Sequence, residues 1–126
     1  MKGKAKIRRL LAWLGASLLV AAAYLGIAPA PAMADSLVQG CHLGMCVDVY
    51  TGAKNYSNHT QWVSAIDVYG SGGAQQVQAW TYNFYQQANA PSARFWANRW
   101  VPSGNNVCGA VVVQGNRQIA CIVIRV

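Results

Sequence analysis

Aromatic side chains are the residues of this sequence whose types and spacing point most directly to a function. Beyond residue 34 the chain has four Trp, five Tyr and two Phe. Flat rings on a sheet face can stack on sugar rings, and the candidate glycan-binding residues are Trp80, Tyr82, Trp96 and Trp100. Large aromatic rings also fill the cores of small β domains. We therefore expect any one of these Trp residues to be a core residue more often than an exposed one.

Groups that could carry catalysis are few. The chain has no Glu, and its acidic residues are Asp35, Asp48 and Asp67. A catalytic triad or a pair of carboxylates would have to be built from these and the two His. No Gly-x-Ser-x-Gly nucleophile motif is present. We expect a protein that is not an enzyme and that needs no cofactor.

Four cysteines, all beyond residue 34, predict two disulfides. Cys41 and Cys46 would face each other across a tight turn at Leu43 and Gly44. Cys108 and Cys121 are symmetric about Gln114 and Gly115, so a hairpin with a four-residue loop would bring them together. Directly opposed residues of an antiparallel pair lie within disulfide range. We therefore predict the pairs Cys41–Cys46 and Cys108–Cys121.

A zinc site at Cys41, His42 and Cys46 is the alternative use of the first two cysteines. Zinc binds thiolates, and an oxidising compartment removes them. The sequence has no Cys-x2-Cys spacing and no His-x3-His pair. We expect no metal.

The first 34 residues have the three parts of a secretory signal peptide. Lys2 to Arg9 form a basic segment, an apolar stretch follows to Ala28, and Ala32-Met33-Ala34 predicts cleavage before Asp35. We expect a secreted, extracellular protein in which residues 1–34 are the leader and residues 35–126 are one domain. Once the leader is removed, we expect no stable membrane anchor.

Most of the positive charge lies in that predicted leader. The whole chain has a net charge of +7, but five of its ten basic residues are among the first nine. The rest has five basic residues against three acidic ones, and they are scattered rather than clustered. Without a basic patch there is no footprint for phosphate backbones. We expect no nucleic-acid partner.

Short β-branched and aromatic runs alternate with turn residues beyond residue 34, which is typical of strands. The predicted strands are Cys46–Tyr50, Trp62–Tyr69, Gln76–Tyr85, Ala93–Val101, Val107–Val113 and Ile119–Val126. The last two runs are apolar on both faces, which predicts central strands. We therefore expect an all-β fold: a small, disulfide-stapled antiparallel β-sandwich or barrel of about six strands.

In size, leader, cysteine number and strand pattern, the chain resembles the small secreted, disulfide-linked β-sandwich proteins that inhibit extracellular hydrolases. No inhibitor reactive-loop motif matches its residues, so the resemblance transfers no site residue. Our first hypothesis is a monomeric, non-catalytic binding protein, such as an inhibitor, with an extracellular protein as its partner. Its candidate contact segments are Thr51–Thr60, Cys41–Cys46 and Pro102–Asn106. The alternatives are a glycan- or cell-wall-binding module and a cell-surface structural protein that associates through sheet edges.

Overall fold

The computed structural model describes residues 36–70 and 72–126. The predicted leader and its cleavage site lie outside the described residues. Among the described residues, no helix is long and apolar enough to cross a membrane. The strands are β1 (Ser36–His42), β2 (Met45–Asn55), β3 (Thr60–Gly70), β4 (Gln76–Thr81), β5 (Phe84–Ala88), β6 (Ser92–Pro102), β7 (Asn106–Val113) and β8 (Asn116–Val123).

These strands form two antiparallel sheets of four strands each. The first sheet has the order β1-β2-β3-β6, and the second has the order β5-β4-β7-β8. Their inner faces pack on each other in a sandwich-like arrangement. The all-β, antiparallel prediction is therefore confirmed, although the chain forms more strands than the expected six or so.

The core between the sheets is aliphatic. Val47, Val49, Ile66 and Val68 of the first sheet are fully buried, as are valines of the second sheet such as Val107. Inner-facing residues alternate with outer-facing ones along β2, as the period of a half-buried strand requires. Among the described residues, the buried core cluster has one aromatic member, which lies in β6.

The expectation that the Trp residues lie mostly in the core is wrong. Trp62 and Trp80 are half-buried, and Trp96 and Trp100 are exposed. Between the sheets there is little room for an indole ring: a Cβ added at Gly109 would lie 2.7 Å from Cγ2 of Val68. Valine side chains fill this narrow space, and the Trp rings are left on the outer faces.

The predicted strand Gln76–Tyr85 is instead a hairpin. Strands β4 and β5 are joined by a two-residue turn at Tyr82 and Asn83, and φ of Asn83 is 51°. Asn adopts this left-handed conformation more readily than most residues. Trp80 pairs with Tyr85 across the hairpin, so the alternation of aromatic residues does not continue along one strand face.

Two edge strands also differ from the prediction. Strand β1 was not expected, because most of its side chains are exposed on both faces and give no alternating pattern. Strand β8 was expected to be central, but it is an edge strand with only β7 as a neighbour in its sheet. Its inner face packs on β1: a Cβ added at Gly40 would lie 2.7 Å from the Cys121 carbonyl oxygen and 3.0 Å from Cγ2 of Ile122. Ile119 and Val123, on the other face of β8, are exposed. The first strand thus packs directly on the last.

The structure contains both disulfides with the pairing given above, Cys41–Cys46 and Cys108–Cys121. In each hairpin the two cysteines are directly opposed. The turn at Gln114 and Gly115 has two residues, so the four-residue loop expected there is wrong. Both turn residues have positive φ, 50° and 80°, as two-residue hairpin turns of type I′ require.

Candidate functional site

The outer face of the first sheet carries its polar and aromatic side chains in rows that run across the strands. One row is polar: Gln39, Asp48, Asp67 and Arg94, one residue from each strand. The next row is largely apolar: Leu37, Tyr50, Ala65 and Trp96. Beyond it, Trp62 of β3 pairs with Trp100 of β6. The antiparallel register therefore brings together residues that are far apart in the sequence.

Three side chains of the polar region form a closed hydrogen-bond network. The Gln39 amide donates to Asp48 Oδ1 at 2.9 Å and to the Tyr69 hydroxyl at 2.7 Å, and that hydroxyl donates to Asp48 Oδ1 at 3.1 Å. Burial raises the pKa of Tyr69, and the bond to Asp48 and its negative charge raise it further. Tyr69 therefore stays protonated and remains a donor at neutral pH.

Arg94 forms a bidentate ion pair with Asp67. Its Nε lies 2.6 Å from Asp67 Oδ1, and its Nη2 lies 2.8 Å from Oδ2. The same guanidinium lies 4.8 Å from the ring centre of Tyr50 and 5.6 Å from that of Trp96. The hydrogen bonds to Asp67 and its charge raise the pKa of Arg94. The guanidinium thus bonds to Asp67 and also lies close to the rings of Tyr50 and Trp96. Arg94 therefore connects the polar row to the aromatic row.

Three Trp rings lie on this face. Trp62 and Trp100 pack edge to face with ring centres 5.5 Å apart, a favourable arrangement for aromatic pairs. Trp96 is 60% exposed and Trp100 is 38% exposed. Ala65, which lies between Tyr50 and Trp96 in its row, is only 2% exposed. The aromatic side chains therefore form a layer over the outside of the sheet.

A depression of about 320 Å³ lies next to this layer. The described residues that line it belong to β3 and β6: Asp67, Val68, Tyr69, Ser92, Ala93 and Arg94. Because Asp67 and Arg94 lie in the polar row of the outer face, we place the depression on that face of the first sheet. Its rim carries a carboxylate, a guanidinium and two hydroxyls, and its size is at the lower end of small-molecule sites.

The outer face of the second sheet is built differently. Trp80 is half-buried there, and the guanidinium of Arg117 lies over its ring at 4.7 Å from the ring centre. Tyr85, its cross-strand neighbour, is 55% exposed and donates a hydrogen bond to Gln87. Gln78 bonds to Gln76, but its Oε1 is buried without a partner among the described residues.

The four candidate glycan-binding residues are therefore not one cluster. Trp96 and Trp100 lie together on the outer face of the first sheet. Trp80 lies on the second sheet, and Tyr82 occupies the turn after β4. Trp96 and Trp100 are exposed on one face of β6, while Phe95 and Val101 are buried on the other.

Sequence analysis did not single out the neighbours of Trp96 as a group. The structure adds Tyr50, Trp62 and the polar residues Gln39, Asp48, Asp67, Tyr69 and Arg94. A stacking role for Arg94 on Trp96 could be anticipated from their closeness in β6. Arg99, the second arginine of β6, lies over Phe84, 4.8 Å from the ring centre, and donates a hydrogen bond to the Asn83 carbonyl. The pairing of Asp67 with Arg94 could be predicted only with knowledge of the register between β3 and β6.

Chemically, this face presents stacking surfaces beside planar hydrogen-bonding groups. Both carboxylates of this face accept hydrogen bonds from other side chains. Asp48 accepts from Gln39 and Tyr69, and Asp67 accepts from Arg94. Within residues 36–70 and 72–126, no three His, Cys, Asp or Glu side chains are arranged to hold a metal ion. Comparisons of the chain with protein-family models, with curated proteins and with solved structures give no match.

Proposed function

We propose that the protein is a non-catalytic glycan-binding module that uses the outer face of the first sheet. The exposure of Trp96 is the observation that carries this proposal. A 60% exposed indole, next to a second exposed Trp and a layer of further rings, is costly to keep in water. Exposed apolar area of this kind marks a binding surface.

The neighbours of Trp96 favour a sugar as the ligand. Sugar rings have apolar faces that stack on aromatic rings and hydroxyl groups that need planar hydrogen-bonding partners. The Arg94–Asp67 pair, the Tyr69 hydroxyl and Ser92 line the depression beside the ring. A flat aromatic surface with polar groups along one side therefore suits a polysaccharide better than a wholly apolar ligand.

Location supports the same proposal. Two disulfides in so small a domain are typical of proteins from oxidising compartments outside the cytoplasm, where cell-wall and matrix polysaccharides are found. The predicted leader, secretion and monomeric state belong to this proposal. Its ligand would be an extracellular polysaccharide.

Co-sedimentation with insoluble chitin, cellulose and peptidoglycan tests the proposal. Trp96→Ala should weaken binding to the retained polymer about tenfold, since one stacked aromatic contributes on the order of 1–3 kcal/mol. The matched control is Tyr85→Ala, which removes a 55% exposed ring from the second sheet and should leave binding unchanged. Failure of the unmodified protein to sediment with any of the three polymers would contradict the proposal.

A second candidate, binding of an extracellular hydrolase, is favoured by the tip of the first hairpin. Leu43 is 69% exposed, and the Cys41–Cys46 disulfide holds the turn that presents it. With φ of 50° at Leu43, this turn differs from the extended backbone that a protease cleaves. Leu43 would act as an apolar anchor rather than a substrate mimic. Inhibition of a secreted protease or amylase that Leu43→Ala abolishes, and Trp96→Ala does not, would support this candidate.

A further inference from the structure

We infer that the depression beside Trp96 selects sugars by charge, accepting amino sugars and rejecting uronic acids. This inference rests on the proposed glycan-binding function and adds a ligand class to it. The class follows from the Arg94–Asp67 pair that lines the depression and from Asp48, the cross-strand neighbour of Asp67.

The positive charge at the depression is already neutralised. Arg94 directs Nε and Nη2 to the two oxygens of Asp67, so both hydrogen bonds of that edge are made within the protein. A bidentate pair of this kind presents no net charge to a ligand. A sugar carboxylate that approached Arg94 would meet the negative charge of Asp67 beside it and could bind only the remaining N–H donors of the guanidinium.

Within the part of the chain that the structure describes, no cationic side chain pairs with Asp48. Asp48 accepts hydrogen bonds from Gln39 and Tyr69, both uncharged donors. Tyr69 is one of the residues that line the depression, and its hydroxyl bonds to Asp48 Oδ1 at 3.1 Å. Asp48 is also the cross-strand partner of Asp67, so its carboxylate lies one strand away from the depression. Two carboxylates against one guanidinium leave the region with one net negative charge.

Other basic groups of the first sheet lie away from the depression. Lys54 is at the far end of β2, where it pairs with Gln61. Arg99 is directed towards Phe84 and Asn83 of the second sheet. His42 ends β1, one residue beyond Cys41 and so on the opposite face of that strand. Nothing among these side chains offsets the charge of Asp48.

An amino sugar matches this arrangement. Its ring can stack against Trp96 while its ammonium group lies in the depression near Asp48. An N-acetylated sugar of the same ring lacks the charge, and a uronic acid carries the opposite one. These three sugars therefore differ in the property that the depression discriminates, which makes them suitable probes.

The test measures affinities for tetramers of glucosamine, N-acetylglucosamine and galacturonic acid at pH 6 and low ionic strength, by titration calorimetry. We expect the glucosamine tetramer to bind at least tenfold more tightly than the galacturonic acid tetramer. Asp48→Asn should weaken glucosamine binding about fivefold, the effect of one charge contact at about 4 Å in water. The same variant should leave N-acetylglucosamine binding within twofold.

Two further variants separate pairing from overall charge. Asp67→Asn removes the partner of Arg94 and should strengthen galacturonic acid binding, whereas Asp48→Asn should do so much less. Arg117→Gln changes net charge on the second sheet and should leave all three affinities unchanged. High salt should reduce the preference for glucosamine.

The outcomes distinguish this inference from the proposed glycan-binding function on which it rests. If Asp48→Asn leaves the glucosamine affinity and the ranking of the tetramers unchanged, the charge selection is wrong. In that case, binding of any tetramer that Trp96→Ala weakens still supports the glycan-binding function. If no tetramer binds and no insoluble polymer retains the protein, both are wrong.

Discussion

The outer faces of the two sheets contain similar side chains but arrange them differently. Each face has four antiparallel strands, a cross-strand disulfide, Trp and Arg. On the second sheet Arg117 lies over Trp80 at 4.7 Å, and the ring is half-buried. On the first sheet Asp67 holds Arg94, whose guanidinium is 5.6 Å from Trp96, and that ring is 60% exposed. On the second sheet an arginine thus lies over a half-buried indole ring, whereas on the first sheet the arginine is held by a carboxylate and the neighbouring indole ring is exposed.

The largest difference between the faces should come from their disulfides. The Cys108–Cys121 bond closes a longer loop than Cys41–Cys46, with sequence separations of 13 and 5. In the chain-entropy model, Cys108–Cys121 stabilises the folded state by about 3 kcal/mol and Cys41–Cys46 by about 2 kcal/mol. Urea unfolding of the double variants C108A/C121A and C41A/C46A measures both losses. A larger loss from C41A/C46A would mean that anchoring β1 matters more than loop closure.

A smaller effect should separate the Trp residues that support the fold from those that are free to bind. Trp62→Ala and Trp80→Ala should each cost about 2 kcal/mol of unfolding free energy, because both rings are half-buried. Trp96→Ala should cost less than about 0.5 kcal/mol, as for most exposed sites. Equilibrium urea denaturation gives these values. A cost for Trp96 as large as that for Trp80 would erase the contrast between the faces.

The smallest perturbation is a replacement of Trp by Phe read by fluorescence. Replacing Trp96 and Trp100 together should remove most of the acrylamide-quenchable emission and shift the remainder to shorter wavelength. Replacing Trp62 and Trp80 together should leave the quenchable emission largely intact. Equal quenching in the two double variants would show that Trp62 and Trp80 are as open to water as Trp96 and Trp100.

What could be predicted from the sequence was local. The disulfide pairing followed from hairpins in which the cysteines are 5 and 13 residues apart, so turn geometry decides their register. The row that joins Gln39 to Arg94 depends instead on three strand pairings. A register shift between Val63 and Ala65 also changes which residues of β3 share a face. Sequence alternation alone does not locate such an extra residue.

Failure of the core expectation has a different origin. The Trp residues were expected inside because burying a large ring is favourable. Whether a ring fits depends on the distance between the sheets, which is set by opposing residues such as Val68 and Gly109. That distance arises only when the two sheets pack together, so the sequence of a single strand does not reveal it.

The contact of Gly40 with the Cys121 carbonyl joins the first described strand to the last. Strand β1 can pack on β8 only after the six strands between them have been made. Closing so long a loop costs entropy, which makes such contacts slow to form. During synthesis β1 therefore cannot make this contact until the residues around Cys121 have been added. A chain that ends before the residues around Cys121 lacks both the second disulfide and the surface on which β1 packs.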